Sequence, residues 1–481
     1  MRFSLVLKVL SIIILISGSA MLLPLPFSFY YGDNDYIALI ISSGIAYVIG
    51  LPIYLLTSRK KEDIRIKEGF AIVSLGWLTF TLIGSLPYMF SGVTSSFTDA
   101  FFETMSGFTT TGATILKDIE SVPHGILFWR SLTHWLGGMG MIVLTIAILP
   151  FLGVGGMQMF KAESPGPTVD KLTPRITATA KILWGVYIFF TFIETALLCL
   201  SGMNLFDALC HSFGTLATGG FSTKNASISA YPSPAIHYII SVFMIIAGIN
   251  FSLHYKLLTG KIRDFFSNSE LRLYLSILAI STILILIQVM LHHYETISEG
   301  IQFSLFQVVS IMTTTGYGTA DYEQWTLTSQ IILLILMFVG GCAGSTAGGI
   351  KVIRLLILLK FANNELKRLL HPNAIVDVKI GKKLIDRKII VNIAGFFIIY
   401  ILTTILSVLF VSSFDIDLAT SIGAVSATIN NVGPGIGMVG PTESYSHLPD
   451  VIKWFLSFLM MLGRLEVYTV IILFAPSFWR K

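Results

Sequence analysis

At 481 residues, 54% of them hydrophobic and 12% charged, with a mean hydropathy of +0.78, the chain lies far from the roughly 25% charged composition of soluble domains. That composition excludes a soluble enzyme or binding module and points to a polytopic membrane protein. The net charge of +5 is no nucleic-acid signature, because the basic residues collect in the loops on one side of the apolar spans.

Arg2 and Lys8, an apolar centre and small residues at Gly18 to Ala20 give the N-terminus the form of a signal peptide. The apolar run continues to Leu23, long enough to span, so a retained helix is expected, with a second at 36–57. Hydropathy then places spans at 70–90 and 126–150, 176–200 and 235–258, 273–293 and 327–370, and 389–411 and 451–475. Between the members of each pair lies a shorter apolar segment, which makes ten spans and four half-helices. Thr98 with Asp99, Asn204 with Asp207, Ser298 with Glu299, and Asp415 with Asp417 are the expected caps of the half-helices.

The half-helices are copies of one motif: FFETMSGFTTTGA (101–113), LCHSFGTLATGGF (209–221), FQVVSIMTTTGYG (306–318) and IGAVSATINNVGPG (422–435). Alignment puts Gly112, Gly219, Gly316 and Gly433 in one column, about a hundred residues apart. That period is too long for a solenoid and suits internal repeats of a membrane protein. A half-helix of roughly ten to twelve residues reaches only about 15 to 18 Å, half the hydrocarbon thickness, so the chain must enter and turn back. Its C-terminal carbonyls carry the negative end of the helix dipole. Irregular backbone at that depth is tolerated only where it lines a protein-enclosed, hydrated cavity. Four such ends around an axis suit a bare cation, because rings of backbone carbonyls can replace hydration water and glycine lets them face inward.

TTTGA, ATGGF, TTTGYG and NNVGPG, with GGCAGSTAGGIKV (340–352), resemble the TrkH/KtrB superfamily of potassium transporters, and its TrkH branch in particular, over essentially the whole chain. The resemblance implies an all-α polytopic membrane protein. Its four M1-pore helix-M2 repeats, at 67–155, 172–260, 270–372 and 386–481, form one pseudo-fourfold pathway behind two N-terminal transmembrane helices at 1–66. It further implies potassium uptake through carbonyls of Thr110, Thr111 and Gly112, of Ala217, Thr218 and Gly219, of Thr314, Thr315 and Gly316, and of Asn431, Val432 and Gly433. Plant relatives with serine at the position of Gly112 are sodium-permeable, so glycine there favours potassium. The only metal implied is the permeating ion, with no cofactor. A homodimer bound on its cytoplasmic face by a TrkA-type nucleotide-binding regulatory subunit is implied as well, since no nucleotide site is legible in this chain. A gated uniporter and a symporter coupled to protons or sodium both remain open.

The loops on one side of the spans hold 27 of the 32 Lys and Arg residues, against Lys117, Arg130, Lys224 and Lys453 on the other. Under the positive-inside rule both termini face the cytoplasm of a bacterial or archaeal inner membrane. The outer face carries 15 of the 27 acidic residues, so an acidic vestibule that concentrates cations is expected where the half-helices open. The basic stretch from Lys351 to Lys388 serves either to dock the regulatory subunit or simply to hold topology against anionic lipid.

Gly340, Gly341, Gly344, Gly348 and Gly349 break the run 327–370 halfway, with Ser345 and Thr346 among them. The segment is either a passive kink or, as the resemblance implies, a loop below the filter that obstructs the path. Arg464 sits within the last apolar run, at a cost on the order of 2.5 to 3.5 kcal/mol for a lipid-facing helix centre, and must face protein or a wet cavity. Glu466 is badly placed to pair with it, two residues along a helix. Its partner is therefore expected among the glycine loop's carbonyls or on another segment; Arg464 is either a structural charge paired with Glu194 or, as the resemblance implies from the arginine at the matching position, a gate residue whose cation repels potassium near the inner half of the pathway. Gly435, Gly437 and Gly440 spell GxGxxG, and Gly344, Gly349 and Lys351 approach a Walker A loop, but neither follows the strand that phosphate binding needs. His134, His211, His292 and His293 fall in no catalytic or metal-binding pattern, and Cys199, Cys210 and Cys342 show no paired spacing, so no enzyme, disulfide framework or zinc site is expected.

Overall fold

Backbone polar groups in lipid must be satisfied within their own segment, and the apolar runs accordingly coil. The computed structural model describes residues 2–57, 66–147, 176–372, 377–381 and 383–479. The first two long helices, Phe3–Ala20 and Tyr36–Thr57, meet through small residues. A β-carbon on Gly18 would lie 2.9 Å from that of Ala46, and Ser43 donates to the Gly18 carbonyl at 2.8 Å.

Four helix triplets follow. Ile66–Gly84, Phe97–Phe108 and His124–Ala147 form the first, and Ile176–Leu200, Leu205–Leu216 and Pro234–Ala247 with Phe251–Leu258 the second. Ser269–His292, Ile297–Met312 and Leu327–Phe338 with Val352–Leu370 form the third. Arg387–Ser412, Leu418–Ile429 and Asp450–Arg464 with Val467–Ile471 form the fourth. The middle helix of each triplet has 12 residues, except the third, which has 16, and all four are buried near their C-terminal ends. The fold is all-α, as expected; among the described residues the strands are a hairpin of Lys379–Ile380 with Lys383–Leu384.

Two expected spans are not straight. The run 235–258 bends by 103° between Ala247 and Phe251, and the run 451–475 bends by 116° between Arg464 and Val467. Among the described residues six helices are long and apolar enough to cross a bilayer, and these bent pairs make eight. The remaining two expected spans are His124–Ala147, which carries Arg130 and His134, and the third-repeat run that the glycine segment splits. Arg464 thus ends a helix rather than occupying the middle of one, and Glu466 behind it has φ of 63°.

The caps also differ in part. Asn204 caps as expected, but Thr296 accepts from Glu299 N where Ser298 was expected, and Asp417 rather than Asp415 accepts from Thr420 N. Ser96 stands at the start of the first half-helix without a side-chain bond, in place of Thr98. In each corrected case the capping position is the last extended residue before the helix, where a side chain can fold back onto the free N–H groups.

Candidate functional site

The four half-helices end alike. Thr109, Ala217, Thr313 and Asn430 are their C-caps. The next residue is left-handed each time, with φ of 51° at Thr110, 54° at Thr218, 58° at Thr314 and 57° at Asn431. Two residues on, a glycine repeats the turn, with φ of 84° at Gly112, 82° at Gly220, 80° at Gly316 and 97° at Gly433. Left-handed threonine is strained by about 1 to 3 kcal/mol and persists only where its surroundings impose it. Here the residue between the two turns is tied to its own helix: Thr111 N to Ser106 O, Gly219 N to Gly214 O, Thr315 N to Ser310 O and Val432 N to Ala427 O, at 2.7 to 2.9 Å.

Each glycine lies against a carbonyl of the next repeat. A β-carbon on Gly112 would overlap Gly219 O, one on Gly220 would overlap Thr315 O, and one on Gly316 would overlap Val432 O. On Gly433 it would lie 2.6 Å from Thr111 O, which closes the circle. Four equivalent segments therefore form a ring in chain order, with the oxygens of Thr111, Gly219, Thr315 and Val432 at one level.

The ring moves the second-repeat register by one residue. The sequence motif aligns Gly219 with the other three glycines, but the left-handed residue is Gly220, and Gly219 matches Thr111, Thr315 and Val432. The segment equivalent to Thr110, Thr111 and Gly112 is Thr218, Gly219 and Gly220, and Ala217 belongs to the helix cap. A β-carbon on Gly219 would run into the His134 ring behind the ring of carbonyls.

Outside this ring, a cavity of about 490 Å³ has Gly112, Gly220, Gly316 and Gly433 on its floor. Its wall is not acidic. Lys117, Arg130 and Lys224 line it with Glu443, while most of the outer carboxylates are engaged by backbone or neighbouring side chains. Asp207 bonds Thr223 and Asn204, Asp417 caps a helix, Asp35 accepts from Ile126 N, and Glu323 accepts from Gly437 N. Burial, with Asp321 and Glu443 close by, pushes the Glu323 carboxyl up, against the lowering effect of that N–H. The acidic wall expected from the count of acids is therefore not what lines this cavity.

Behind the ring, side chains lash one repeat to the next. Arg130 donates to Glu103 at 2.7 Å and to Ser222 O at 2.9 Å, and its guanidinium lies 3.5 Å from the centre of the Phe221 ring. Glu103 also accepts from Thr114 Oγ1 and Ile115 N, both at 2.9 Å. Tyr317 donates to His211 O at 3.0 Å, Tyr445 N to Thr114 O at 2.8 Å, and Asn431 to Thr111 Oγ1 at 2.9 Å, while the Tyr445 hydroxyl holds Gly433 O of its own repeat at 2.7 Å. Breaking a buried pair such as Arg130 with Glu103 strands a charge and costs about 3 to 5 kcal/mol. The motif reading missed these residues, although a carboxylate within the apolar half-helix FFETMSGF signals a need for a partner.

On the other side of the ring, the segment from Gly340 to Gly349 crosses between the half-helix ends. Thr346 donates to Leu216 O at 2.9 Å, Gly348 N donates to Thr314 Oγ1 at 2.7 Å, and a β-carbon on Gly348 would overlap Asn430 O. Those contacts reach the second, third and fourth repeats. Arg464 completes the set, donating to Thr346 O at 2.7 Å and to Gly137 O of the first repeat at 3.4 Å. Ser345 is folded into the segment's own turn, bonding Cys342 O at 2.6 Å. Cys342 N bonds Gly248 O at 2.8 Å and Phe251 N bonds Gly344 O at 3.1 Å, so the loop docks into the bend of the second repeat. A loop carbonyl is thus the partner of Arg464, as the spacing argument requires. Among the described residues no carboxylate lies within ion-pair distance of its guanidinium, Glu194 is buried on another helix, and Glu466 pairs with Arg354 at 2.6 Å.

This geometry finds its counterpart in known proteins. The family described as "TrkH: Cation transport protein" matches residues 39–481. Similar chains include the "Trk system potassium uptake protein TrkH" of Salmonella typhimurium, 41% identical, and that of Halomonas elongata, 42% identical, each aligned over 100% of both chains. The crystal structure of the potassium transporter TrkH from Vibrio parahaemolyticus superimposes with a TM-score of 0.92 at 36% identity, again over 100% of both chains. With four carbonyl turns in a ring and full-length similarity of both sequence and fold, the chain belongs to the TrkH family of cation transport proteins, a family of transporters and not of enzymes.

Proposed function

We propose that this chain is a potassium uptake protein of the cytoplasmic membrane, passing potassium through a ring of backbone carbonyls. The observation that carries the reading is the closed circle in which Gly112, Gly220, Gly316 and Gly433 each abut a carbonyl of the neighbouring repeat. Oxygens fixed in this way can replace the hydration shell of a cation, and selectivity follows from their number and field. The filter consists of Thr110 to Gly112, Thr218 to Gly220, Thr314 to Gly316 and Asn431 to Gly433. Liposomes holding the purified chain should take up rubidium down its own gradient, with no proton or sodium gradient applied, faster than separate liposomes take up sodium down an equal sodium gradient. Equal uptake of the two ions overturns the filter, and rubidium uptake that depends on an imposed proton or sodium gradient establishes the symport reading instead.

The glycine segment is the gate. It contacts the second, third and fourth repeats directly and the first through Arg464, as a plug across an axis must. A cytosolic nucleotide-binding regulatory subunit acts on it through the basic helix Val352–Leu370 and the hairpin beyond. The transporter works as a homodimer, as the family resemblance implies. Both termini are cytoplasmic. In a background lacking Cys199, Cys210 and Cys342, a cysteine at the exposed Ser229 should be labelled by an impermeant thiol reagent from outside intact cells, and one at the exposed Ser267 should not. The reverse pattern inverts the topology.

A further inference from the structure

Glu270 is almost fully buried in the first turn of Ser269–His292, whose start Asn268 already caps by accepting from Leu271 N. Its carboxylate is turned away from that helix. A single oxygen, Oε1, accepts from Ala343 N at 2.7 Å and from Ile353 N at 3.1 Å. Ala343 lies in the descending limb of the glycine loop, and Ile353 in the first turn of the helix that follows it. One carboxylate therefore ties the two ends of the loop together.

Apart from this tie the neck of the loop is held by neutral backbone bonds alone: Gly340 N bonds Ile350 O at 3.0 Å, Ile350 N bonds Phe338 O at 3.2 Å and Val352 N bonds Gly341 O at 3.2 Å, about one isolated bridge between Val339 and Ile350. Two cations hold the far side: Arg464 grips Thr346 O, and Lys351 donates to Ala347 O. Charge-assisted bonds of this kind are about twice as strong as neutral ones. Glu270 stands on a helix outside the pathway, so it can hold the loop without touching an ion.

We propose that Glu270 is a positioning residue of the gate: by holding Ala343 and Ile353 on one oxygen it keeps the loop folded across the pathway, and opening requires that both bonds release. This rests on the reading of the loop as a gate. Moving Val352–Leu370 away from Ser269–His292 breaks the Ile353 bond first, because that bond is the longer of the two. The loop is then left on its bridge, its two cations and the neutral hydrogen bonds that seat it on the half-helix ends and in the bend of the second repeat. A force applied to the cytoplasmic end of Val352–Leu370 is thereby transmitted to the obstruction.

The test uses the full chain in liposomes without any regulatory subunit, with Cys199→Ser and Cys210→Ser leaving Cys342 as the reporter thiol inside the loop. Rubidium uptake and the rate of Cys342 modification by a maleimide are measured together. Glu270→Met, which keeps volume but has no such acceptor, is expected to raise both by about tenfold or more, the effect of losing the two bonds that Oε1 accepts in the closed state. Glu270→Gln keeps an acceptor oxygen and should give a smaller rise. A loop-shortened variant is the control for gating. If it raises flux while Glu270→Met, eluting as the wild type does, leaves both readings unchanged, the clamp is overturned. If shortening the loop leaves flux unchanged, the gating reading fails, and Cys342 reactivity alone decides the clamp: raised in Glu270→Met supports it, unchanged overturns it. Should Glu270→Met not fold, Glu270→Gln decides on the same two readings.

Discussion

Gly112→Ser is expected to lower the ratio of rubidium to sodium uptake by about tenfold or more, equivalent to roughly 1.4 kcal/mol between the two ions. Two effects act at this position. The backbone has φ of 84°, which a residue with a β-carbon adopts only with strain, at a cost on the order of 1 to 2 kcal/mol. The β-carbon itself would overlap the oxygen of Gly219, so the second repeat's carbonyl must move off the ring. A ring that has lost one of four equivalent oxygens no longer matches the size and field that distinguish potassium from sodium, and the serine hydroxyl adds a compact ligand on the side of the smaller ion. The circle is only pseudo-symmetric. At Gly433 the β-carbon would stand 2.6 Å from Thr111 O, less severe than the overlap at Gly112, so Gly433→Ser should disturb selection less. Competitive rubidium and sodium uptake in liposomes reads both variants, and undiminished discrimination in Gly112→Ser would show that these carbonyls are not the filter.

The repeat architecture was legible because apolar runs and glycine turns are local features, and both recur four times. Three of the four column glycines could be placed without structure. The second repeat could not, since ATGGF offers adjacent glycines and only backbone conformation separates Gly220, which turns left-handed, from Gly219, which faces the His134 ring. The 103° and 116° bends were hidden because hydropathy averages over a window, and Asn250 or Glu466 alone barely lowers it. Arg464 was recognised as anomalous for a sound reason, yet its position at the end of a helix followed from the bend and not from its spacing. The cationic wall of the vestibule was misread from charge counting. A count cannot tell that Asp35, Asp207 and Asp417 face backbone and neighbouring side chains while Lys117 and Lys224 face the cavity.

Glu103 and Glu270 illustrate the same limit. Glu103 stands in an apolar half-helix and demands a partner, whereas Glu270 lies in the polar stretch Ser267 to Arg272 and gives no such signal; their partners lie 27 and 73 residues away along the chain and are set by packing. Once found, they divide the labour around the pathway. Arg130, paired with Glu103, reaches Ser222 O and so lashes the first repeat to the second behind the ring of turns, and Glu270 ties the ends of the glycine loop. On the proposed reading the filter is held from behind by buried side chains, whereas the loop is held by three charged groups together with neutral hydrogen bonds.

Arg464→Ala is expected to raise basal rubidium flux by about ten- to a hundredfold in liposomes without the regulatory subunit. That range corresponds to losing a hydrogen bond to a charged group, about 1.5 to 3 kcal/mol, from the closed state alone. The guanidinium is buried, has no carboxylate within ion-pair distance among the described residues, and spends its bonds on Thr346 O of the loop and Gly137 O of the first repeat. On the proposed reading, an uncompensated cation there opposes potassium directly as well as pinning the loop, and the two contributions can be separated. Arg464→Lys keeps the charge but not the planar fork that reaches two carbonyls at once, so it should retain the repulsion and lose part of the latch, giving a flux between wild type and Arg464→Ala. Shortening the loop removes the latch while leaving the charge, and combining it with Arg464→Ala should add only the electrostatic part. Unchanged or lower flux in Arg464→Ala that folds as the wild type does would make Arg464 a structural charge, and the glycine segment a kink held in place by packing.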